Sequence, residues 1–466
     1  MHDPARGAPR HAHRCRHSGQ SPRGGCRGAR RGGGDRPRRC PDAGWGRGGF
    51  PFGAGARVPG GGVVRSSLRP PLSDLDRLPF PLRGYERAEG CDIRRQLEFI
   101  ITSRGCPASC RFCSSPLFWG KSLRFRSPRS MVDEIRLLRD RYGLIYFSLR
   151  DDTFTARADR VIEFCRLLLE EQVHILWSCQ SRVNCVDEEM LLWMRRAGCE
   201  CVQYGVESGS ERVLALLGKR ITPEQVRRAA RATRRAGIAL SVYLIAGVPG
   251  ETEEDVQATV TLVNDILPHD GQVAPLAYYP GTALFADAVR EGGVPPDLFE
   301  RQRGEAFYVR TDPAVTRSVE TILRAVDRAG RRARFGPADF ARQRQLLGFC
   351  HATALALGGW HEDRGDFGSA GDAYREITER QPENPWGWLA LGGLFGEAGE
   401  IDEAERMFRR VVKLVPSHLP AYLALGDLRL MAGDRKGGRR HYERAGELDP
   451  HNGEARDRLK KLGKRE

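Results

Sequence analysis

Three closely spaced cysteines form the strongest chemical signal in this sequence. They occupy the segment GCPASCRFC with C-x3-C-x2-C spacing, directly after an apolar, β-prone run at residues 99–102. The three thiols belong to Cys106, Cys110 and Cys113. An iron–sulfur cluster held by three cysteines keeps one iron open for chemistry, whereas a structural zinc ion requires a fourth cysteine or histidine. No histidine lies between His17 and His174. The pattern therefore favours a cluster, with zinc or an inert cysteine group as the alternatives.

Polar residues that could surround such a centre follow a series of predicted strands. Strand-like apolar runs recur at residues 144–149, 175–179, 201–206, 240–246 and 272–277. Each run is followed by a helix-like stretch, and glycines at 143, 198 and 237 stand where helices should end. Together with the run before the cysteines, this makes six β/α units over about 195 residues, whereas a full TIM barrel has eight. The sequence thus predicts an α/β fold with a parallel sheet.

The carboxyl ends of barrel strands usually carry the active site, so we expect polar residues there to contact cofactor or substrate. The candidates are Asp151, Asp152, Ser178, Gln180, Arg182, Glu207, Ser208, Gly247 and Gly250. Arg182 offers a planar fork for a carboxylate, and glycine permits close approach to a planar base. The alternative for each position is a helix cap or a turn, and Glu251 and Thr252 fit a capping role equally well.

The cysteine segment, with Phe112 before its third cysteine, resembles the C-x3-C-x-aromatic-C signature of the radical SAM enzymes. The resemblance implies that the three cysteines bind a [4Fe-4S] cluster whose open iron chelates S-adenosylmethionine (SAM). It also implies reductive cleavage of SAM to a 5'-deoxyadenosyl radical, with Phe112 near the adenine and the strand-end residues around the rest of the cofactor. The fold implied is the open partial (β/α)6 barrel of that family.

Three further segments resemble the cobalamin-dependent subfamily of radical SAM proteins. They are LSDLDRLPFPLRGYE, WSCQSRVN and GVESGSERVLALLGKRIT. In that subfamily the first of them connects a cobalamin-binding domain, which carries a D-x-H-x-x-G motif, to the barrel. Only about 70 residues precede it here, and none of the early histidines stands in such a motif. The sequence therefore argues against cobalamin binding by this chain and leaves open its supply by a separate protein.

The amino-terminal part has a different composition. The first 50 residues hold 12 arginines, 12 glycines, no lysine and three acidic residues. Such a segment buries too little apolar surface to offset chain entropy, so we expect residues 1–70 to be a disordered, solvated tail. It lacks the interleaved aromatic residues of a nucleic-acid surface, which makes nucleic-acid binding an unfavoured alternative. The sequence shows no signal peptide or membrane span, and its scattered cysteines predict a reducing cytoplasm.

The carboxyl-terminal part repeats with a period of 34 residues. The repeated positions are Gly358, Gly392 and Gly426; Gly365, Gly399 and Gly433; Tyr374, Phe408 and Tyr442; and Pro382, Pro416 and Pro450. This pattern resembles tetratricopeptide repeats at residues 351–384, 385–418 and 419–452, followed by a capping helix. An all-α solenoid of this kind either binds a protein partner on its concave face or braces the barrel.

These features predict a domain order. We expect a connector at residues 71–95, a radical SAM barrel at 96–290, lid or linker helices at 291–350 and the repeats at 351–466. Tyr278 and Tyr279 follow the last strand, where they line the cavity or pack in the core.

The function predicted is radical generation from SAM for hydrogen abstraction from, or methylation of, a small organic substrate. A reductant such as flavodoxin or ferredoxin would supply the electron. The alternative is a repeat scaffold with a degenerate barrel. A third reading, tRNA methylthiolation, would lead one to expect an extra cysteine-bearing domain and an RNA-binding module, and neither is recognisable in the sequence.

Overall fold

The structure is a computed structural model that describes residues 56–57, 63–64, 70–80, 97–301 and 306–463. The chain divides into two units, with the boundary between Ser73 and Asp74. In the first unit, strands β1 (Ala56–Arg57) and β2 (Val63–Val64) pair antiparallel. The rest of the predicted tail, and the connector beyond residue 80, lie outside the described residues.

The second unit is organised around a parallel sheet. The strands of this unit are β3 (Phe99–Ile100), β4 (Ser103–Arg104), β5 (Arg124–Phe125), β6 (Tyr146–Leu149), β7 (Leu176–Ser181), β8 (Cys199–Glu207), β9 (Ala239–Ala246), β10 (Asp270–Pro275), β11 (Ala277–Tyr278) and β12 (Tyr308–Val309). Six of them form one parallel sheet in the order β3-β6-β7-β8-β9-β10. Strands β4 and β5 form an antiparallel pair, as do β11 and β12.

Each strand of the six-stranded sheet lies beside the next one along the chain, so the chain winds in one direction as it does in a barrel. Within the described residues β3 and β10 are the two edges of the sheet, so the barrel is partial. The predicted fold class is therefore confirmed.

Helices cover the outer side of the sheet. Their bounds are α1 (Ser115–Trp119), α2 (Pro128–Tyr142), α3 (Ala158–Glu170), α4 (Glu188–Arg196), α5 (Glu211–Leu216), α6 (Pro223–Arg235), α7 (Glu253–Ile266), α8 (Ala283–Arg290), α9 (Leu298–Arg301), α10 (Pro313–Arg332) and α11 (Pro337–Leu347). Asp187 caps α4 by accepting from the Met190 N–H at 2.9 Å. The glycines expected to end helices do so with φ of 66° at Gly143, 92° at Gly198 and 80° at Gly237.

The main core lies between the sheet and these helices. Alternate residues of the strands, such as Phe147 and Leu149 on β6, are fully buried in it. Phe154, Phe164 and Trp177 meet edge to face, with ring centroids between 5.6 and 6.1 Å apart. The intervening strand residues face the inside of the barrel, and many of them are polar.

The repeats form a stack of antiparallel helices. These are α12 (His351–Glu362), α13 (Phe367–Arg380), α14 (Pro385–Ala398), α15 (Ile401–Leu414), α16 (Leu419–Met431), α17 (Arg435–Leu448) and α18 (Gly453–Gly463). In each repeat a glycine of the first helix lies against an aromatic ring of the second. A Cβ atom would come within 2.1 Å of the Tyr374 ring at Gly358 and within 3.0 Å of the Phe408 ring at Gly392. The 34-residue period thus repeats one helix-to-helix contact.

The first repeats pack against the amino-terminal end of the barrel. Ile145 and Leu176, at the starts of β6 and β7, share a buried cluster with Trp386 and Leu389 of α14. The buried Arg195 side chain donates to the Ala352 carbonyl at 2.9 Å. The repeats therefore brace the barrel at the end opposite the carboxyl ends of its strands. None of the described helices is both long and apolar enough to cross a membrane.

Candidate active site

The cysteine loop begins where β3 ends, and Asp151 holds that point. Its carboxylate accepts from the Thr102 N–H at 2.6 Å and the Ser103 N–H at 2.9 Å, and the Thr102 hydroxyl donates to it as well. Asp151 is 1% exposed, and burial raises its pKa although the Arg160 charge and the hydrogen bonds oppose that shift. Burial lowers the pKa of Arg160 to about 10, while the Asp151 charge opposes this shift. The Asp151 carboxylate is thus engaged by the start of the loop.

The loop itself is fixed by close backbone contacts. Gly105 has φ of 96°, and a Cβ there would lie 2.2 Å from the Ser122 carbonyl oxygen. The Arg111 N–H donates to the Leu217 carbonyl, and the Arg111 carbonyl accepts from the Leu284 N–H, both at 2.9 Å. The loop is therefore held between the end of α5 and the start of α8. Only glycine fits at its first turn.

The three thiols project from this loop. Cys106 is buried, Cys110 and Cys113 are half-buried, and none forms a disulfide. Burial is the main cause that raises the pKa of Cys113, and the Cys110 thiol, the Asp152 carboxylate and the Cys106 thiol add to the increase. The three thiols therefore lie within each other's electrostatic field, at the carboxyl end of the sheet. In the described part of the chain, no group of three or more His, Cys, Asp or Glu side chains is packed as a metal ion would require.

Arg182 connects the cysteine loop to the end of β7. Its Nη1 atom lies 3.5 Å from the Cys110 sulfur, and its Nη2 atom donates to the Lys219 carbonyl at 2.8 Å. Lys219 in turn forms an ion pair with Glu207, with 2.6 Å between Nζ and Oε1. The Glu207 backbone has φ of 69°, which is strained for a residue other than glycine.

The remaining predicted residues separate into two groups. Asp152 is exposed beside Cys113 and accepts a hydrogen bond from the Ser115 hydroxyl. Phe112 packs on the apolar cluster that contains Tyr278. Ser208, in contrast, is fully buried and lies 3.1 Å from the Thr259 hydroxyl of α7. That contact faces the helix layer.

The two predicted glycines lie in turns with positive φ, 78° at Gly247 and 74° at Gly250. A Cβ at Gly247 would come within 2.6 Å of the Val315 side chain, so α10 approaches this turn closely. Gly250 is more open, since only the Arg212 guanidinium comes within 4.0 Å of such an atom.

The inside of the partial barrel has a polar, uncharged lining below the cysteine loop. The Gln180 side-chain amide donates to Gln203 at 3.4 Å and to the Tyr243 hydroxyl at 3.2 Å. Ser178 donates to Ser148 at 3.3 Å in the same manner. These hydrogen bonds are long, and Ser178, Gln180 and Tyr243 are only half-buried. A barrel closed by packing usually has apolar layers here, so this lining suits a polar occupant.

Several residues that shape the site were not predicted from the sequence. Lys219, Arg160 and Arg111 each act through a partner far away in the chain, such as Thr102 for Arg160 and Asp287 for Arg111. One signal for Lys219 was available, because an acidic strand-end residue that becomes buried requires a nearby cation. For Arg160 and Arg111 no local pattern points to the partner.

Two family models match the chain. The radical SAM superfamily matches residues 100–263, and a tetratricopeptide repeat model matches residues 362–428. The first range includes the cysteine loop and the strands from β3 to β9, and the second includes the middle repeat.

Among characterised and named proteins, the chain is similar to an uncharacterized methyltransferase of Pyrococcus horikoshii. The two are 34% identical over 236 residues, which cover 49% of this chain and 50% of the relative. An anaerobic magnesium-protoporphyrin IX monomethyl ester cyclase of Rubrivivax gelatinosus is 30% identical over 250 residues, which cover 53% of this chain and 44% of the relative. The chain thus spans about half the length of the curated relatives it matches.

Among solved structures, the chain is similar to the radical S-adenosylmethionine methyltransferase TsrM from Kitasatospora setae. The TM-score is 0.43 at 21% identity, with 63% of this chain and 65% of that chain covered. The motif, the partial barrel and the family match agree with one another. Through its radical SAM domain, which tetratricopeptide repeats follow, the chain belongs to the radical SAM superfamily.

Proposed function

We propose that the protein is an enzyme that cleaves SAM reductively and uses the resulting radical on a small organic molecule. One observation carries this proposal: three free thiols in C-x3-C-x2-C spacing lie together at the carboxyl end of a parallel partial barrel. Thiolates are the ligands that iron–sulfur clusters take, and this set leaves one iron without a protein ligand. When bound there, a [4Fe-4S] cluster supplies the electron that converts SAM to a 5'-deoxyadenosyl radical.

The residues around the loop would divide the work of binding. Cys106, Cys110 and Cys113 would hold the cluster, and the exposed Asp152 carboxylate beside them would bind the SAM amino group. The open turn at Gly250, together with Phe112, would lie along the adenine. Ser178 and Gln180 would orient polar groups of the substrate in the barrel interior.

The residues fixed by buried contacts would act as supports. Asp151 would hold the loop entry, Glu207 would hold the end of β8 through Lys219, and Ser208 and Gly247 would keep the neighbouring helices in place. This assignment changes the role expected for these four residues from cofactor contact to positioning, because each is engaged by the chain itself.

The domain order, partners and compartment belong to the same proposal. We place the radical SAM core at residues 96–290, lid or linker helices at 291–350 and the repeats at 351–466. A flavodoxin or ferredoxin in the cytoplasm would deliver the electron, because a cluster with an open iron functions only in a reducing compartment. A protein partner would bind the outer repeats, since the first ones contact the barrel.

The relatives suggest two classes of reaction. Their names include methyltransferases and a cyclase, so both methyl transfer and hydrogen abstraction followed by ring closure are candidates. The two classes differ in the fragment that SAM leaves behind. Methyl transfer releases S-adenosylhomocysteine, whereas radical generation releases 5'-deoxyadenosine and methionine.

An anaerobic assay tests this function. Reconstituted protein is reduced with dithionite in the presence of SAM, and both nucleoside products are followed by mass spectrometry. The wild type and Cys185→Ser, which changes a cysteine outside the motif, should both release 5'-deoxyadenosine, whereas Cys110→Ala should release none. Cleavage retained in Cys110→Ala would contradict the proposal. A cluster-loaded wild type that never cleaves SAM would favour the repeat-scaffold alternative.

A further inference from the structure

We propose that Arg182 raises the reduction potential of the bound cluster through a hydrogen bond to Cys110. The sequence suggested a different role for this residue, that of a fork for the SAM carboxylate. The new assignment rests on the proposed function, because it needs the cluster to be present.

Contacts within the chain hold Arg182 in place without any ligand. Its Nη2 atom donates to the Lys219 carbonyl at 2.8 Å, which turns Nη1 toward the Cys110 sulfur at 3.5 Å. The segment that provides this carbonyl also binds the loop directly, since the Leu217 carbonyl accepts from the Arg111 N–H at 2.9 Å. The guanidinium and the loop are therefore fixed to the same support. The distance between Arg182 and Cys110 does not depend on a bound carboxylate.

The charge on Arg182 is also not neutralised by its surroundings. Lys219, the nearby second cation, is paired with Glu207 at 2.6 Å. Among the residues that the structure describes, no carboxylate forms an ion pair with Arg182 (described ranges 70–80, 97–301 and 306–463). Arginine stays protonated at any physiological pH, and a half-buried charge is screened less than an exposed one. Arg182 therefore presents a full positive charge to a cysteine of the cluster loop.

This arrangement has a defined electrochemical consequence. Reduction adds one negative charge to the cluster and its thiolates. A cation that donates an N–H to a ligating sulfur stabilises the reduced form more than the oxidised form, and hydrogen bonds to the sulfurs are among the factors that set cluster potentials. Arg182 should therefore make the cluster easier to reduce.

A potentiometric titration separates this role from SAM binding. The midpoint potential is measured by electron paramagnetic resonance in the absence of SAM, on wild type, Arg182→Met and Arg182→Lys, with iron content determined for each. Arg375→Met removes an arginine from a repeat helix, where it pairs with Asp372, and serves as the control for a lost charge. A residue that acted only on the SAM carboxylate would leave all these potentials equal and would weaken SAM binding instead.

We expect Arg182→Met to lower the midpoint potential so that the ratio of reduced to oxidised cluster falls about tenfold at a fixed poise, or ~59 mV for one electron. Arg182→Lys should lie between it and the wild type, because lysine keeps the charge but lacks the fork that reaches two acceptors. If Arg182→Met loses its cluster, the comparison between wild type and Arg182→Lys decides. Equal potentials in these variants would overturn the inference and leave the proposed function standing. Failure of the wild type to bind a cluster would overturn both.

Discussion

Lys219 and Glu207 form an ion pair in the interior of the protein, with 2.6 Å between Nζ and Oε1 and each side chain less than a tenth exposed. The pair lies between the end of β8 and the segment that supports the cysteine loop. Its lysine carbonyl accepts a hydrogen bond from Arg182, which contacts Cys110. The end of one strand is thereby connected to the cysteine loop through two side chains.

Breaking this pair should destabilise the barrel. Glu207→Gln leaves the Lys219 charge buried without its partner, so we expect the free energy of unfolding to fall by about 3–5 kcal/mol. Urea unfolding followed by circular dichroism measures the loss. Glu211→Gln, an exposed residue in the first turn of α5, should cost less than about 1 kcal/mol. Equal midpoints for the two variants would refute a structural role for the pair.

Asp151 and Asp152 are neighbours with different predicted effects. Asp151→Ala removes the acceptor of the Thr102 and Ser103 N–H groups, so the loop entry loosens and the iron content after reconstitution should fall. Asp152→Ala changes an exposed carboxylate and should keep the iron content while weakening SAM binding. Iron analysis and SAM titration of both variants check this. Normal iron binding by Asp151→Ala would show that the loop does not need this support.

The repeats offer a test with two adjacent glycines. A Cβ at Gly358 would come within 2.1 Å of the Tyr374 ring, whereas nothing lies within 4 Å of one at Gly359. Gly358→Ala should therefore cost about 1–3 kcal/mol of stability through overpacking. Gly359→Ala should gain about 0.5–1 kcal/mol, because alanine favours the helix. Thermal unfolding should shift in opposite directions for the two variants, and a shift of the same sign would contradict the packing.

Acid should weaken the junction between barrel and repeats. His174 and His351 lie there with ring centroids 6.0 Å apart, and burial lowers their pKa values from 6.5 to about 4 and about 3. The unfolded chain takes up these protons at about pH 6.5 and the folded chain only near pH 4 to 3, so stability is retained above that window and lost as pH falls through it.

Urea midpoints at neutral pH and at about pH 5 should therefore differ in the wild type. His351→Gln should show a smaller difference, because one of the two buried titrating groups is gone. His451→Gln, which changes an exposed histidine, should behave like the wild type. A pH dependence identical in all three proteins would argue against the histidine pair as its cause.

The fold was largely predictable because its signals are local. The strand after Leu144 and the helix end at Gly143 follow from apolar runs and from a single residue with positive φ. The repeats announced themselves through Gly358 and Tyr374, which recur every 34 residues because each repeat makes the same contact.

The site was less predictable because its side chains depend on distant partners. Cys110 could be assigned from spacing, but its contact with Arg182 joins residues 72 positions apart. Glu207 looked like a ligand because it ends a strand, and only the position of Lys219 shows that its carboxylate is already paired. Ser208 followed the same pattern and instead faces Thr259 of α7. A motif predicts which residues reach the end of a strand, and the packing decides which way they turn.

The most direct test of the account is spectroscopic. Reconstituted wild type and Cys185→Ser, reduced without oxygen, should each show the electron paramagnetic resonance signal of one [4Fe-4S] cluster per chain, and adding SAM should change that signal because one iron is open to the cofactor. Cys110→Ala should show no such cluster. A wild-type cluster whose signal is unchanged by SAM, or a cluster retained without Cys110, would contradict the central claim.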